Sequence, residues 1–254
     1  MLKPRVGAQL YTLRDYLKTP PEIAATLKKV KAIGYEAVQL SALGPIDRKA
    51  LKEILDGEGV IVAATHTDYE KMRTNLRAVI DEHHYLECQH TAVGALPREY
   101  RNATGYQLFA KEASEVAHRL AESGITFSYH NHSFEFEPYG DKIGLQILLE
   151  ESDPAVFNFE IDTYWVQHGG GDPAEWIRKV SGRIPLVHFK DMTIVDRSQI
   201  MAEVGEGNLN WPAILKACQD AGVVWYLVEQ DHCQRDPFES LAISLSNLKQ
   251  MGIT

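Results

Sequence analysis

Four side chains of metal-binding type each close an apolar run: His130 in Tyr-His-Asn-His, Asp162 in Glu-Ile-Asp-Thr-Tyr-Trp, His188 in Val-His-Phe-Lys-Asp-Met and Glu229 in Leu-Val-Glu-Gln-Asp. Brought into one half-dry pocket, two imidazoles and two carboxylates are costly unless paired. A divalent cation removes that conflict, because it neutralises the anions and occupies the imidazole lone pairs. Other polar residues stand at run ends in the same way: Gln9 and Tyr11, His66, and His132. Lys190, two residues after His188, faces the same side of its strand, where an ammonium can hydrogen-bond a substrate oxygen or stabilise an enolate. An ion pair with Asp191 or Glu203 is the alternative use of its charge. His66 and His132 can donate to hydroxyls, act as acid and base near neutral pH, or support a ligand from behind.

Residues so far apart in sequence converge only if the elements carrying them share one end. Runs rich in β-branched and aromatic residues alternate with amphipathic helical stretches, the pattern of a parallel sheet covered by helices. The eight strand candidates are Arg5 to Leu10, Ala37 to Leu40, Val60 to Thr65, His90 to Val93, Thr126 to Asn131, Val156 to Asp162, Pro185 to Lys190 and Val224 to Glu229. Ile23, Leu27, Val30 and Ile33 recur at helical spacing and predict a helix over Pro21 to Ile33, ended by Gly34. The same helix-Gly-strand joint recurs at Gly124 and Gly222. After the first candidate the chain reads Tyr-Thr-Leu-Arg-Asp, with no glycine-rich phosphate loop to suggest an open doubly wound sheet. The expected fold class is α/β, a single (β/α)₈ TIM barrel domain over residues 1–254, whose active site gathers at the C-terminal ends of the strands.

Bulk composition narrows the partners. Hydrophobic residues at 44% and charged residues at 24% are ordinary for a globular protein, and no Pro, Gly or Ser tract marks a linker. A net charge of -9 with no basic patch argues against nucleic acid and for a small, weakly charged substrate. The three cysteines, Cys88, Cys218 and Cys233, form no CxxC pair and point to a reduced, cytoplasmic setting. The N-terminus runs from Lys3, Pro4 and Arg5 straight into a strand candidate, without a signal core, and no membrane-length apolar run follows. A homo-oligomer is compatible with all of this.

Longer segments carry a resemblance: Tyr-His-Asn-His-Ser-Phe-Glu-Phe from Tyr129, Asp-Thr-Tyr-Trp-Val from Asp162, His-Phe-Lys-Asp from His188 and Gly-Glu-Gly from Gly205. With them, nearly the whole chain resembles the xylose isomerase-like barrel superfamily of sugar isomerases, epimerases and inosose-type dehydratases. The resemblance implies one divalent ion held by strands five to eight, here by His130, Asp162, His188 and Glu229. Many members place a glutamate where this register puts His130. Glu135, five residues on, is the rival carboxylate and is assigned to the following loop. A histidine-rich set moves metal preference from Mg²⁺ toward Mn²⁺, the favoured ion, with Zn²⁺, Co²⁺ or Fe²⁺ as alternatives.

The leading functional expectation is a metal-dependent isomerase or epimerase of a sugar or keto-sugar, working by proton transfer through a metal-stabilised enediolate. Glu229, Lys190 and His132 are its expected catalytic residues, and His66, Trp165, Tyr11, Gln9 and Glu206 its expected substrate contacts. Tyr164 is a further aromatic wall. The alternative is a dehydratase or hydratase of a keto-sugar or inosose, which needs one base and one acid. His130 favours that alternative, because it removes one of the two carboxylates that symmetric epimerisation uses. His168 and the three glycines after it, Gly169 to Gly171, are expected to form a loop that gates the pocket.

Overall fold

The computed structural model describes residues 5–253, so Lys3 and Pro4 lie outside the described part. Its strands in chain order are β1 Arg5–Gln9, β2 Ala37–Leu40, β3 Ile61–His66, β4 His90–Val93, β5 Thr126–His130, β6 Pro138–Tyr139, β7 Lys142–Ile143, β8 Phe157–Asp162, β9 Leu186–Phe189, β10 Asp191–Val195, β11 Ser198–Ala202 and β12 Trp225–Val228. Eight of them close into a barrel in the order β1-β12-β9-β8-β5-β4-β3-β2, and every pair in the ring is parallel. This is the expected TIM barrel. β2 and β4 coincide with their candidates, and the other barrel strands differ from theirs by a residue or so at the ends. Lys190 and Glu229 fall just beyond the ladder, where the chain turns into the loops of the mouth.

Two small antiparallel hairpins lie outside the ring, β6 with β7 and β10 with β11. Neither was expected, and the second carries no turn signature. Its turn is made by Asp196 and Arg197, both at positive φ (47° and 69°), a conformation that Asn-Gly or Asp-Gly usually announces and this sequence does not. The helix over Pro20–Ile33 starts on two prolines and ends at Gly34, whose φ of 116° only glycine adopts without strain. Gly124 and Gly222 close their own units with the same left-handed turn, which lets each helix hand the chain back to the barrel.

Inside the ring the side chains change character with height. Toward the N-terminal ends, Ala37, Ala63, Ala64, Leu186, Trp225 and Leu227 pack as an apolar plug. Gly7 closes it, since a Cβ there would come within 3.0 Å of Leu227. Because strand side chains alternate, inward positions two residues further on carry Gln39 above Ala37, His188 above Leu186 and Glu229 above Leu227. The larger apolar core lies outside the barrel, between strands and helices.

Candidate metal centre

β5, β8, β9 and β12 are consecutive neighbours in the ring, so the residues that finish them meet at one side of the mouth. His130, Asp162, His188 and Glu229 are all buried there, and one donor atom from each lies within 4.8 Å of the others. His130 Nε2 is 3.3 Å from Asp162 Oδ2, and His188 Nδ1 is 3.0 Å from Glu229 Oε2. The remaining polar atoms of three of these residues are tied down elsewhere. His130 Nδ1 is 3.1 Å from the Gly94 carbonyl. Asp162 Oδ1 accepts from the Trp165 backbone N–H at 2.9 Å, capping the helix Thr163–His168. His188 Nε2 sits 2.6 Å from Gln39 Oε1. Each tie leaves the other donor atom aimed at the centre, the arrangement that holds metal ligands in place. The donor set fits a divalent ion.

Lys190 is also fully buried, with Nζ 3.0 Å from Asp162 Oδ2, 2.7 Å from Glu229 Oε2 and 2.6 Å from Asp231 Oδ2. Burial opposes its charge, but these three carboxylates hold its pKa well above the usual lysine value. Burial would likewise raise Glu229, yet Lys190 and His188 beside it keep that carboxyl well below the usual range. His132 is pushed well below the ordinary histidine value by burial and by the neighbouring His130 and Lys190, so it stays neutral. Its Nδ1 and Trp165 Nε1 are buried without a protein partner, and the two rings lie 5.2 Å apart. A cavity of about 550 Å³ opens over this group, lined by Tyr11, His66, His130, His132, Glu229 and Asp231 among others.

The sequence matches the family model described as xylose isomerase-like TIM barrel over residues 27–251. The chain belongs to the xylose isomerase-like TIM barrel family. It is 23% identical to an inosose dehydratase of Geobacillus kaustophilus, a match covering 65% of this chain and 61% of that protein. It is also 23% identical to the rhizopine catabolism protein MocC of Rhizobium meliloti, over 89% of this chain and 80% of that one. Among solved structures, a sugar phosphate isomerase/epimerase from Parabacteroides distasonis superposes with a TM-score of 0.81 at 23% identity, covering 98% of this chain and 94% of that one.

Within this xylose isomerase-like barrel several sequence expectations change. Glu135 is fully buried, but it faces away from the metal group and accepts from the Tyr129 hydroxyl at 2.5 Å and the His132 backbone N–H at 2.9 Å. Glu206 is exposed and paired with Arg235 at 2.8 Å, outside the cavity lining, because its loop turns toward the last helix. Lys190 makes neither of the two ion pairs weighed for it. Asp191 instead accepts from the backbone of Gly205, Gly207 and Leu209 and from the Trp211 indole, which organises that loop. Gln9 is buried beneath the cavity, where it braces His66 and the Tyr11 backbone. The glycines after His168 form a tight joint, in which a Cβ on Gly169 or Gly171 would strike Phe136. A packed joint of this kind is no gate.

Three residues of the site were not anticipated: Gln39, Glu160 and Asp231. Glu160 is completely buried, 2.7 Å from both His66 Nε2 and Gln39 Nε2. Period-two alternation contained the signal, since Glu160 precedes Asp162 by two positions and Asp231 follows Glu229 by two. Among the described residues no helix is long and apolar enough to cross a membrane.

Proposed function

We propose that the chain is a divalent-metal-dependent lyase that removes or adds water next to the carbonyl of a keto-sugar or inosose. One observation carries this reading: the fifth-strand donor is His130, which leaves Glu229 as the one carboxylate of the four-donor set placed to move a proton. Both oxygens of Asp162 are committed, one to the helix cap and the other to Lys190 and the metal group. The likeness to proteins named inosose dehydratase points the same way.

A bound divalent cation supplies the Lewis acidity that polarises a carbonyl and acidifies the C–H beside it. His130, Asp162, His188 and Glu229 would hold it, with Mn²⁺ favoured by the mixed imidazole and carboxylate set. Glu229, ionised and lining the cavity, takes the proton from the acidified carbon. Lys190 holds the Glu229 carboxylate in position and keeps it charged, which is closer to its three contacts than a direct hydrogen bond to substrate. In the dehydration direction Glu229 passes the proton it has taken from carbon to the departing hydroxyl, which leaves as water, and in the hydration direction the transfers run in reverse, while neutral His132 offers that hydroxyl a hydrogen bond. Tyr11, in the cavity lining, offers the carbon face of the substrate an apolar wall, and Trp165 stands outside that lining against His132, its ring 5.2 Å away. His66 lines the cavity from the third strand and meets substrate with its ring, both nitrogens of which are taken by Gln9 and Glu160.

An isomerase or epimerase would share the first proton transfer and return the proton to another face or carbon. The orphan nitrogen of His132, on a different strand end from Glu229, is the observation in its favour. Keto-sugars and inososes incubated in deuterated water with Mn²⁺-loaded protein separate the two by NMR. A lyase gives the dehydrated product or its hydrate. Deuterium uptake with inverted configuration and no gain or loss of water would move the assignment to epimerase.

A further inference from the structure

Below the four donor side chains, the barrel interior holds a polar layer made of Gln9, Gln39, His66 and Glu160, and its hydrogen bonds run in a fixed direction. The backbone N–H of Tyr11 donates to Gln9 Oε1 at 2.6 Å, so the amide nitrogen of Gln9 must face His66 Nδ1, 3.3 Å away. His66 Nδ1 is therefore an acceptor, and Nε2 carries the proton that points at Glu160 Oε2, 2.7 Å away. The ring has little freedom to turn, since Gly94 packs so closely that a Cβ there would come within 2.7 Å of it.

The other end runs the same way. If His188 offers Nδ1 to a cation, its Nε2 carries the proton and donates to Gln39 Oε1 at 2.6 Å. That fixes the Gln39 amide, whose nitrogen donates to Glu160 Oε1 at 2.7 Å. Both chains of donors end on Glu160, which as a carboxylate accepts from each side and has no proton to give.

We propose that Glu160 is a positioning residue that locks the metal-facing ring of His188, through Gln39, and the cavity-facing ring of His66 into one directed hydrogen-bond chain. The proposal rests on the reading of His188 as a metal ligand. It couples two functions: the tautomer that binds the cation and the ring that meets substrate are set by one buried carboxylate. His66, Glu160 and His188 also have donor atoms close enough to hold a second cation. The chain argues against that use, because Glu160 already accepts from Gln39 and His66, and His188 Nε2 is occupied by Gln39. A second ion would have to break all three bonds.

The test is Co²⁺ binding to the metal-stripped full chain, followed by visible absorption, for wild type, Glu160→Gln, Gln39→Leu and Asp162→Ala. Wild type should bind one Co²⁺ per chain. Glu160→Gln puts an amide N–H against a donor, and Gln39→Leu removes the bonds to His188 Nε2 and Glu160 Oε1 while keeping the Glu160 carboxylate and its bond to His66, so that His188 Nε2 keeps only its 3.3 Å approach to Glu160 Oε2. Each should weaken Co²⁺ binding by about 10–100-fold and shift the absorption band, with the fold intact by circular dichroism. A loss of packing alone would leave the band unmoved. If Glu160→Gln does not fold, Gln39→Leu decides alone. Wild-type affinity and an unchanged band in these variants would overturn the proposal, and so would two Co²⁺ per wild-type chain. Asp162→Ala separates the failures: if it abolishes Co²⁺ binding while the other two change nothing, the metal centre stands and the chain of positioning falls. If Asp162→Ala still binds Co²⁺, the metal centre itself is wrong.

Discussion

The lower and upper halves of the barrel interior are built from the same strands and carry opposite chemistry. Below, Ala37, Leu186, Trp225 and Leu227 bury carbon against carbon and need only shape. Above, His130, Asp162, His188, Lys190 and Glu229 are buried to the same degree, and each must be answered by a partner of opposite charge or a hydrogen bond. The strand supplies both by its two-residue period, so that one step upward from Leu186 is His188 and the next is Lys190. The lower half contributes stability that any well-packed set of that volume would give. The upper half spends stability on charged groups whose burial is justified only by binding and chemistry.

Substitutions should divide along the same line. Glu229→Gln keeps the shape and an oxygen for the metal but loses the base, so turnover should fall by about 10²–10⁴-fold with part of the metal retained. The measurement is deuterium exchange at the substrate carbon, and wild-type exchange would place the base at His132. Leu227→Ala should do the reverse, costing about 2–5 kcal/mol in a urea titration while metal content and turnover in the remaining folded protein stay unchanged. A drop in metal content would mean that the plug and the site are not separable. His130→Glu should retain a metal and move preference toward Mg²⁺ or Mn²⁺, read by competition with Zn²⁺. An unaltered preference would show that the fifth strand does not reach the ion.

The smallest effect is expected at Glu135, the buried carboxylate outside the metal group. Burial pushes its pKa up to about 7, above an unfolded value of about 4.3. The folded protein thus retains a proton that the unfolded chain releases between those values. Its contribution is most favourable below the unfolded pKa, declines as pH rises toward 7 and is constant above. Glu135→Gln should remove that decline, compared by urea midpoints at pH 5 and pH 8, and leave metal content unchanged. The same decline in wild type and variant would contradict the assignment.

Much of this was legible before any coordinates. Strand ends were readable because apolar runs stop at polar residues, and the four donors followed from asking what closes each run. The joints at Gly34, Gly124 and Gly222 were readable because a left-handed residue is a local demand. Gln39 and Glu160 were not, because inside an apolar strand a polar residue can face solvent or the barrel axis equally well until the ring is closed. Glu206 and the glycines after His168 were misread for a related reason: their sequence looks mobile, and only Arg235 and Phe136, far away in the chain, show what holds them. The β10–β11 hairpin had no turn signature to find.

The central claim is that His130, Asp162, His188 and Glu229 together hold one divalent ion at the barrel mouth, and elemental analysis of the purified protein tests it most directly. The account predicts about one divalent ion per wild-type chain and none in either Asp162→Ala or His188→Ala, because a four-donor set rarely tolerates losing one. Unchanged metal content in both variants, with the fold intact by circular dichroism, would contradict it.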